Sequence, residues 1–230
     1  MTATIGVVRP GSTFEGMIER HGDYDAWFAR ALEPTGVRIV VHDAVRHAPP
    51  EPGAADGWIV TGARASVTAL EPWSERLFEW LRAVVDEGAP VLGVCYGHQA
   101  LCAALGGRVE RHAEGWEIGT TEVELTDAGR QDPLFRGFPE RFAVQTTHED
   151  HVAVAPPGAT LLATNPHTPV QAVAVGGSAR GVQFHPEVTP EISREFVETR
   201  RHLLPADPRI EDAPLARAVL ANFVDGFVGR

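Results

Sequence analysis

The stretch Gly93-Val94-Cys95-Tyr96-Gly97 sets one cysteine between glycines two positions before and two positions after it. Pro90-Val91-Leu92-Gly93-Val94 reads as a short apolar strand, and His98 to Leu105 as a helix closed by Gly106-Gly107. A strand that enters a helix through two or three residues forces the middle one into a strained conformation, and the flanking glycines remove side chains that would collide in the corner. The apex side chain then projects from the carboxyl edge of the sheet, where open α/β folds bind ligands. A thiol there has two reasons to ionise, the positive end of the following helix and any imidazole within reach. The N–H of Tyr96 points into the same corner and suits a developing oxyanion. Taken alone, the pattern fits a buried structural cysteine as well as a nucleophile.

A base is offered by Gly181-Val182-Gln183-Phe184-His185-Pro186-Glu187, about ninety residues downstream. Imidazole shuttles protons near neutral pH. Pro186 fixes the backbone so that His185 and Glu187, two apart, leave a strand end on the same side. A carboxylate on the far ring nitrogen would set the tautomer and stabilise the imidazolium. The chain has ten histidines. His21, His42, His47, His112 and His167 read as surface or loop residues, and only His185 ends an apolar strand. Cys102, between Leu101 and Ala103 in a helix, reads as core, and its spacing from Cys95 is too long for a disulfide. One reactive thiol in a reducing compartment is the better fit.

Together, the segment from Gly93 to Gln99 and the segment from Gly181 to Glu187 resemble the class I (triad) glutamine amidotransferases, along nearly the whole chain. The resemblance implies a flavodoxin-like α/β fold, an open, mostly parallel sheet with helices on both faces, and chemistry through a γ-glutamyl thioester. It implies that Cys95, His185 and Glu187 are catalytic. Thr61-Gly62-Ala63 matches the oxyanion strand, so amides at Gly62 or Ala63 would join that of Tyr96; Ala63-Arg64 stands where the family usually has a second glycine or Gly-Pro. Gln99 matches a glutamine-contacting position, His148-Glu149-Asp150 a substrate-holding segment, and Gly115-Trp116-Glu117 a pocket-side loop.

The elements around these motifs agree. Apolar runs at Thr4–Val8, Val37–His42 and Gly57–Thr61 read as strands. Between them, Tyr24, Trp27, Phe28, Ala31 and Leu32 recur at helical spacing, as do Trp73, Leu77, Trp80, Leu81, Val84 and Val85 in a helix from about Pro72 to the stop at Gly88. Strands alternating with helices predict a parallel sheet covered on both faces. From Gly115 to Phe184 the pattern turns to strands and turns: Thr121–Leu125, Phe142–Gln145, Leu161–Ala163, Val170–Val175 and Gly181–Phe184. Helices from Pro190 to His202 and from Pro214, the latter striped by Leu215, Val219, Phe223 and Phe227, close the chain. With no linker or repeat, residues 1–230 read as one domain.

Composition narrows the function further. The net charge of −11 argues against broad nucleic-acid binding, and basic pairs such as Arg200-Arg201 read as a solvated helix face. No apolar run approaches the roughly 20 residues of a membrane span, and the first ten residues lack a secretory pattern, so a cytoplasmic location is expected. The expected activity is hydrolysis of the γ-amide of glutamine or of a γ-glutamyl compound, with no cofactor and no metal. One alternative is an ammonia-supplying glutaminase subunit of a separate synthase, since no nucleotide-binding signature is present. Another is a stress hydrolase or redox sensor of the DJ-1/PfpI group.

Overall fold

The computed structural model describes residues 2–204 and 207–229. The chain runs β1 (Thr4–Arg9), α1 (Glu15–His21), α2 (Tyr24–Leu32), β2 (Arg38–Asp43), β3 (Gly57–Val60), α3 (Pro72–Asp86), β4 (Val91–Val94) and α4 (Tyr96–Ala104). It continues through β5 (Arg108–Arg111), β6 (Glu117–Leu125), α5 (Asp127–Gln131), β7 (Arg141–His148), β8 (Asp150–Val154), β9 (Thr160–Thr164), β10 (Ala172–Val175) and β11 (Ala179–Val182). The last helices are α6 (Pro190–Arg200) and α7 (Pro214–Phe223).

The main sheet has the order β2-β1-β3-β4-β11-β10-β9-β6-β7. The strands from β2 to β11 pair in parallel, and those from β11 to β7 antiparallel. This is the flavodoxin-like α/β sheet the sequence leads one to expect, extended by an antiparallel wing. β3, β4 and β11 are buried along their whole length, as continuous apolar strands must be when helices cover both faces. α3 and α4 pack on one face through Trp73, Leu77, Leu81, Tyr96 and Leu101. α2 and α7 cover the other, with Phe28, Leu32, Val219 and Phe223 against β1, β3 and β7. A third cluster joins α1, α2 and α6 through Met17, Tyr24, Trp27, Ile192 and Phe196.

Several boundaries differ from expectation for physical reasons. α4 begins at Tyr96, not His98, so the helix starts immediately after the cysteine. β11 ends at Val182, which leaves His185 on the loop beyond the strand rather than at its tip. β5 and β8 form a separate two-stranded sheet that no long apolar run announces. α1 buries only Met17 and so leaves no apolar stripe to read. At the chain's end Leu215 is 42% exposed while Val219 and Phe223 are buried; the helix widens into a π-helical turn at Val224–Val228.

The corner between β4 and α4 is closed by contact. A Cβ added at Gly93 would lie 2.4 Å from the carbonyl oxygen of Gly97, and one at Gly97 would lie 2.1 Å from that of Val60 on the neighbouring strand. Both obstacles are backbone and have no room to yield. Gly97→Ala is therefore expected to destabilise the fold by about 3 kcal/mol or more, whereas Gly53→Ala, which meets nothing within 4 Å, stays within about 0.5 kcal/mol of the parent. Chemical denaturation followed by circular dichroism measures both.

Candidate active site

Cys95 sits between β4 and α4 with φ 51° and ψ −102°, a region that L-residues occupy only when the surroundings impose it. They do so from both sides. The Cys95 N–H donates to the carbonyl of Val182 at 2.9 Å, and its carbonyl accepts from the N–H of Gln99 at 3.0 Å. The side chain is buried. Tyr96 supplies the first amide of α4, one of the N–H groups that a helix leaves without an internal acceptor. Its ring turns away, 5.7 Å from that of Trp73, and burial raises the phenol's pKa. What Tyr96 offers to the cysteine is thus its backbone.

His185 is held by three contacts. Its N–H donates to the carbonyl of Gln145 at 2.8 Å. Its Nδ1 lies 2.7 Å from Oε1 of Glu187, with both side chains buried. Its Cε1 lies so near Gly62 that a Cβ there would come within 2.8 Å. Pairing with a carboxylate places a proton on Nδ1 and leaves Nε2 as the exchanging nitrogen. Nε2 is buried with no partner among the described residues. Burial alone would discourage charging of this ring, yet the Glu187 carboxylate, followed by the charge of Cys95, raises its pKa to about 10. A buried thiol and a carboxylate-backed imidazole are therefore electrostatically coupled across the sheet's carboxyl edge.

A cavity of about 180 Å³ opens at Cys95 and is lined by Ala63, Tyr96, Gln99, Trp116, His148 and Asp150 among others. Six of the expected oxyanion and substrate positions thus converge on the sulfur. His185, Glu187 and Gly62 are not in its wall. Two of the lining side chains are already engaged. Gln99 Nε2 donates to the Asp150 carbonyl at 2.7 Å and to Gln183 Oε1 at 3.2 Å. His148 meets the same carbonyl through Nδ1 at 3.0 Å and Glu117 through Nε2 at 2.9 Å. The Asp150 carboxylate accepts from the Ser66 hydroxyl. Gln99 and His148 brace the Asp150 backbone, so the cavity is shaped by them as much as lined by them.

Sequence reasoning missed the hub of this bracing. Glu117 accepts from His148, Asn165 and Gln171. Burial would raise its carboxyl, but the His148 hydrogen bond and charge, with Asn165, hold it below the usual range. Its signal was its place beside Trp116, in a segment read as a loop that forms the start of β6. Arg200 was misread: it is 8% exposed, not a solvated helix residue, and it lines the cavity. His112 and His167 lie in loops, as expected, and stack there with centroids 4.0 Å apart. Cys102 is core, its thiol raised by burial to about 12, and both cysteines are free.

Residues 17–203 match the family model described as class-I glutamine amidotransferase. The chain belongs to this family. It is 38% identical over 177 residues to the glutamine-hydrolysing GMP synthase of Aeropyrum pernix, aligning 75% of this chain and 32% of that protein. It is 40% identical over 145 residues to that of Thermomicrobium roseum, aligning 63% of this chain and 25% of that protein. The chain thus spans about a third or less of these relatives' length. Its fold is similar to a glutamine amidotransferase of Methylobacillus flagellatus, with TM-score 0.80 and 20% identity over 99% of this chain and 96% of that one. A second, from Thermotoga maritima, gives TM-score 0.79 and 22% identity, with full coverage of both chains. Among the described residues no helix is long and apolar enough to cross a membrane.

Because the Glu187 charge is what outweighs burial, Glu187→Gln is expected to lower the His185 pKa. Imidazole NMR titration should show the parent ring still protonated well above neutral pH and the variant losing its proton at a lower pH. An unchanged midpoint would contradict the assigned electrostatics.

Proposed function

We propose that this chain is a cysteine-dependent amidase acting on the γ-amide of glutamine or of a γ-glutamyl compound, with Cys95, His185 and Glu187 as its triad. One observation carries the reading: a strained thiol in a βα corner beside an imidazole whose far nitrogen is bonded to a buried carboxylate. The Cys95 thiolate attacks the γ-carbonyl carbon and forms a C–S bond, while the carbonyl electrons move onto oxygen. Amides of Tyr96 and of the Gly62-Ala63 segment hold that oxyanion; one such donor is typically worth about 3–4 kcal/mol of barrier. As the tetrahedral species collapses, the C–N bond breaks and the imidazolium of His185 gives its Nε2 proton to the leaving nitrogen. Neutral His185 then takes a proton from water, whose oxygen attacks the thioester. The C–S bond breaks, glutamate leaves, and the thiolate and imidazolium are restored.

Gln99, His148, Asp150 and Trp116 are proposed to shape the glutamyl site, the first two chiefly by bracing Asp150. Residues 1–230 are proposed to act as one domain in a reducing, cytoplasmic setting, which the two free thiols support. A second reading has one observation in its favour. The relatives named GMP synthase are about three times longer than the aligned region, so the chain would then pass ammonia to a separate synthase subunit.

Incubation of the purified chain with glutamine and γ-glutamyl peptides, with ammonia and free amines followed, tests the reading. Cys95→Ala should lose at least about 10⁴-fold in kcat while keeping its circular dichroism spectrum; substantial residual turnover would sink the assignment. Glutamine turnover that appears only when a synthase fraction is added would select the subunit reading. Stoichiometric oxidation of Cys95 by peroxide without any amidase turnover would instead favour the DJ-1/PfpI-like alternative.

A further inference from the structure

The cavity at Cys95 has a direction. His185 and Glu187 are not in its wall, whereas Arg64, Asp150 and Arg200 line it together with the sulfur. The leaving nitrogen must take its proton from His185, so it points out of the cavity. What enters is the other end of the substrate, the Cα that lies two methylene groups beyond the carbonyl under attack. That carbon carries an ammonium and a carboxylate.

Several charges around this space are matched within the wall. Arg111 pairs with Glu149 at 3.2 Å, and His148 is taken up by Glu117 and the Asp150 carbonyl. Asp150 and Arg200 are left over. The Asp150 carboxylate accepts from the neutral Ser66 hydroxyl rather than from a cation. Arg200 ends α6, is 8% exposed, and sets its guanidinium 4.5 Å over Trp116 and 5.1 Å over Phe14. Its Nη1 is buried with no hydrogen-bond partner among the described residues. Burial lowers its pKa, and the anionic forms of Tyr24 and Cys95 oppose that. The Tyr24 phenol is no counterion at neutral pH, because burial raises its own pKa. Arg64 lines the same cavity and stands 4.1 Å over the same Phe14 ring. Aromatic faces offset part of the cost of burying a cation. They supply none of the in-plane acceptors that a guanidinium fork meets in a carboxylate.

We propose that Arg200, seconded by Arg64, binds the α-carboxylate of the glutamyl substrate while Asp150 receives its α-ammonium, so that Arg200 sets a requirement for a free α-carboxylate. One anion and one buried cation on the wall match the zwitterionic end of an amino acid, and a cation that deep is costly to leave opposite an uncharged group. A glutamine residue followed by another residue in a peptide has an amide in place of that carboxylate. It leaves the fork unmatched and adds bulk to a cavity of about 180 Å³. The proposal rests on the amidase reading above and adds the residue that reads the far end of the substrate, whichever amine leaves.

L-Glutamine and L-glutaminamide differ only in that carboxylate, and formation of glutamate or isoglutamine reports attack at the γ-amide of each. The parent should favour glutamine in kcat/KM by about 10- to 100-fold, chiefly through KM, because the carboxylate is remote from the reacting atoms. Arg200→Met should bring the ratio close to one, and Arg200→Lys should retain part of it. A parent ratio near one overturns the proposal and leaves the amidase reading standing. So does an Arg200→Met ratio that stays at the parent's value, including an equal loss on both compounds, which would put the guanidinium on the thiolate. Should Arg200→Met lose the parent's circular dichroism spectrum, Arg200→Lys decides: a reduced ratio upholds the proposal and an unchanged one overturns it. If neither compound is turned over, alone or with a synthase fraction, the amidase reading falls, and calorimetric titration of Cys95→Ala decides the proposal. Tighter binding of glutamine that disappears with the further Arg200→Met change upholds it. Equal binding of the two compounds, or binding of neither, overturns it.

Discussion

The structure depends on how closely α4 is drawn against the end of β4. Gly97 approaches the carbonyl of Val60 at a distance no side chain could share, and in the same corner Cys95 is held at positive φ. The strain is of the order of 1–3 kcal/mol, and two backbone hydrogen bonds together with the buried strands β3 and β11 hold it in place. Everything else at the site is placed relative to that backbone corner.

The imidazole is brought to the same sheet edge by β11 and held there by the antiparallel wing. β11 lies beside β4 in the sheet, so the chain leaving β11 emerges at the same carboxyl edge. His185 is then fixed by the Gln145 carbonyl on β7, by Glu187 and by the bare backbone of Gly62. These three restraints come from different elements, which is why a loop residue can be as well positioned as one within a strand. The wing also supplies Glu117, whose buried contacts to His148, Asn165 and Gln171 set the wall opposite α4.

Charge is distributed unevenly around the cavity. One wall is neutral or internally satisfied, with Gln99 and His148 occupied by the Asp150 backbone. The end at α6 has an arginine almost fully buried and unpaired among the described residues. In an otherwise strongly acidic chain with 31 carboxylate side chains, surface arginines such as Arg20 and Arg141 are paired, whereas Arg200 Nη1 has no partner among the described residues. In a low-dielectric site an unbalanced charge acts over several ångströms.

The sequence alone determined the corner and the paired His185 and Glu187. Glycines two before and two after Cys95, and the proline between His185 and Glu187, are local constraints on backbone shape, and local constraints are written in consecutive residues. It also determined the buried strands, because a strand covered on both faces must be apolar throughout. Only the tertiary structure decided the rest. It decided that α4 starts at Tyr96, that His148 and Gln99 brace rather than point freely, and that Arg200 of the Arg200-Arg201 pair is buried while its neighbour is exposed. Helical spacing shows which face a residue occupies but not what packs against that face. For Arg200 the answer came from Phe14 and Trp116, far away in the chain, and no pattern of neighbouring residues holds that information.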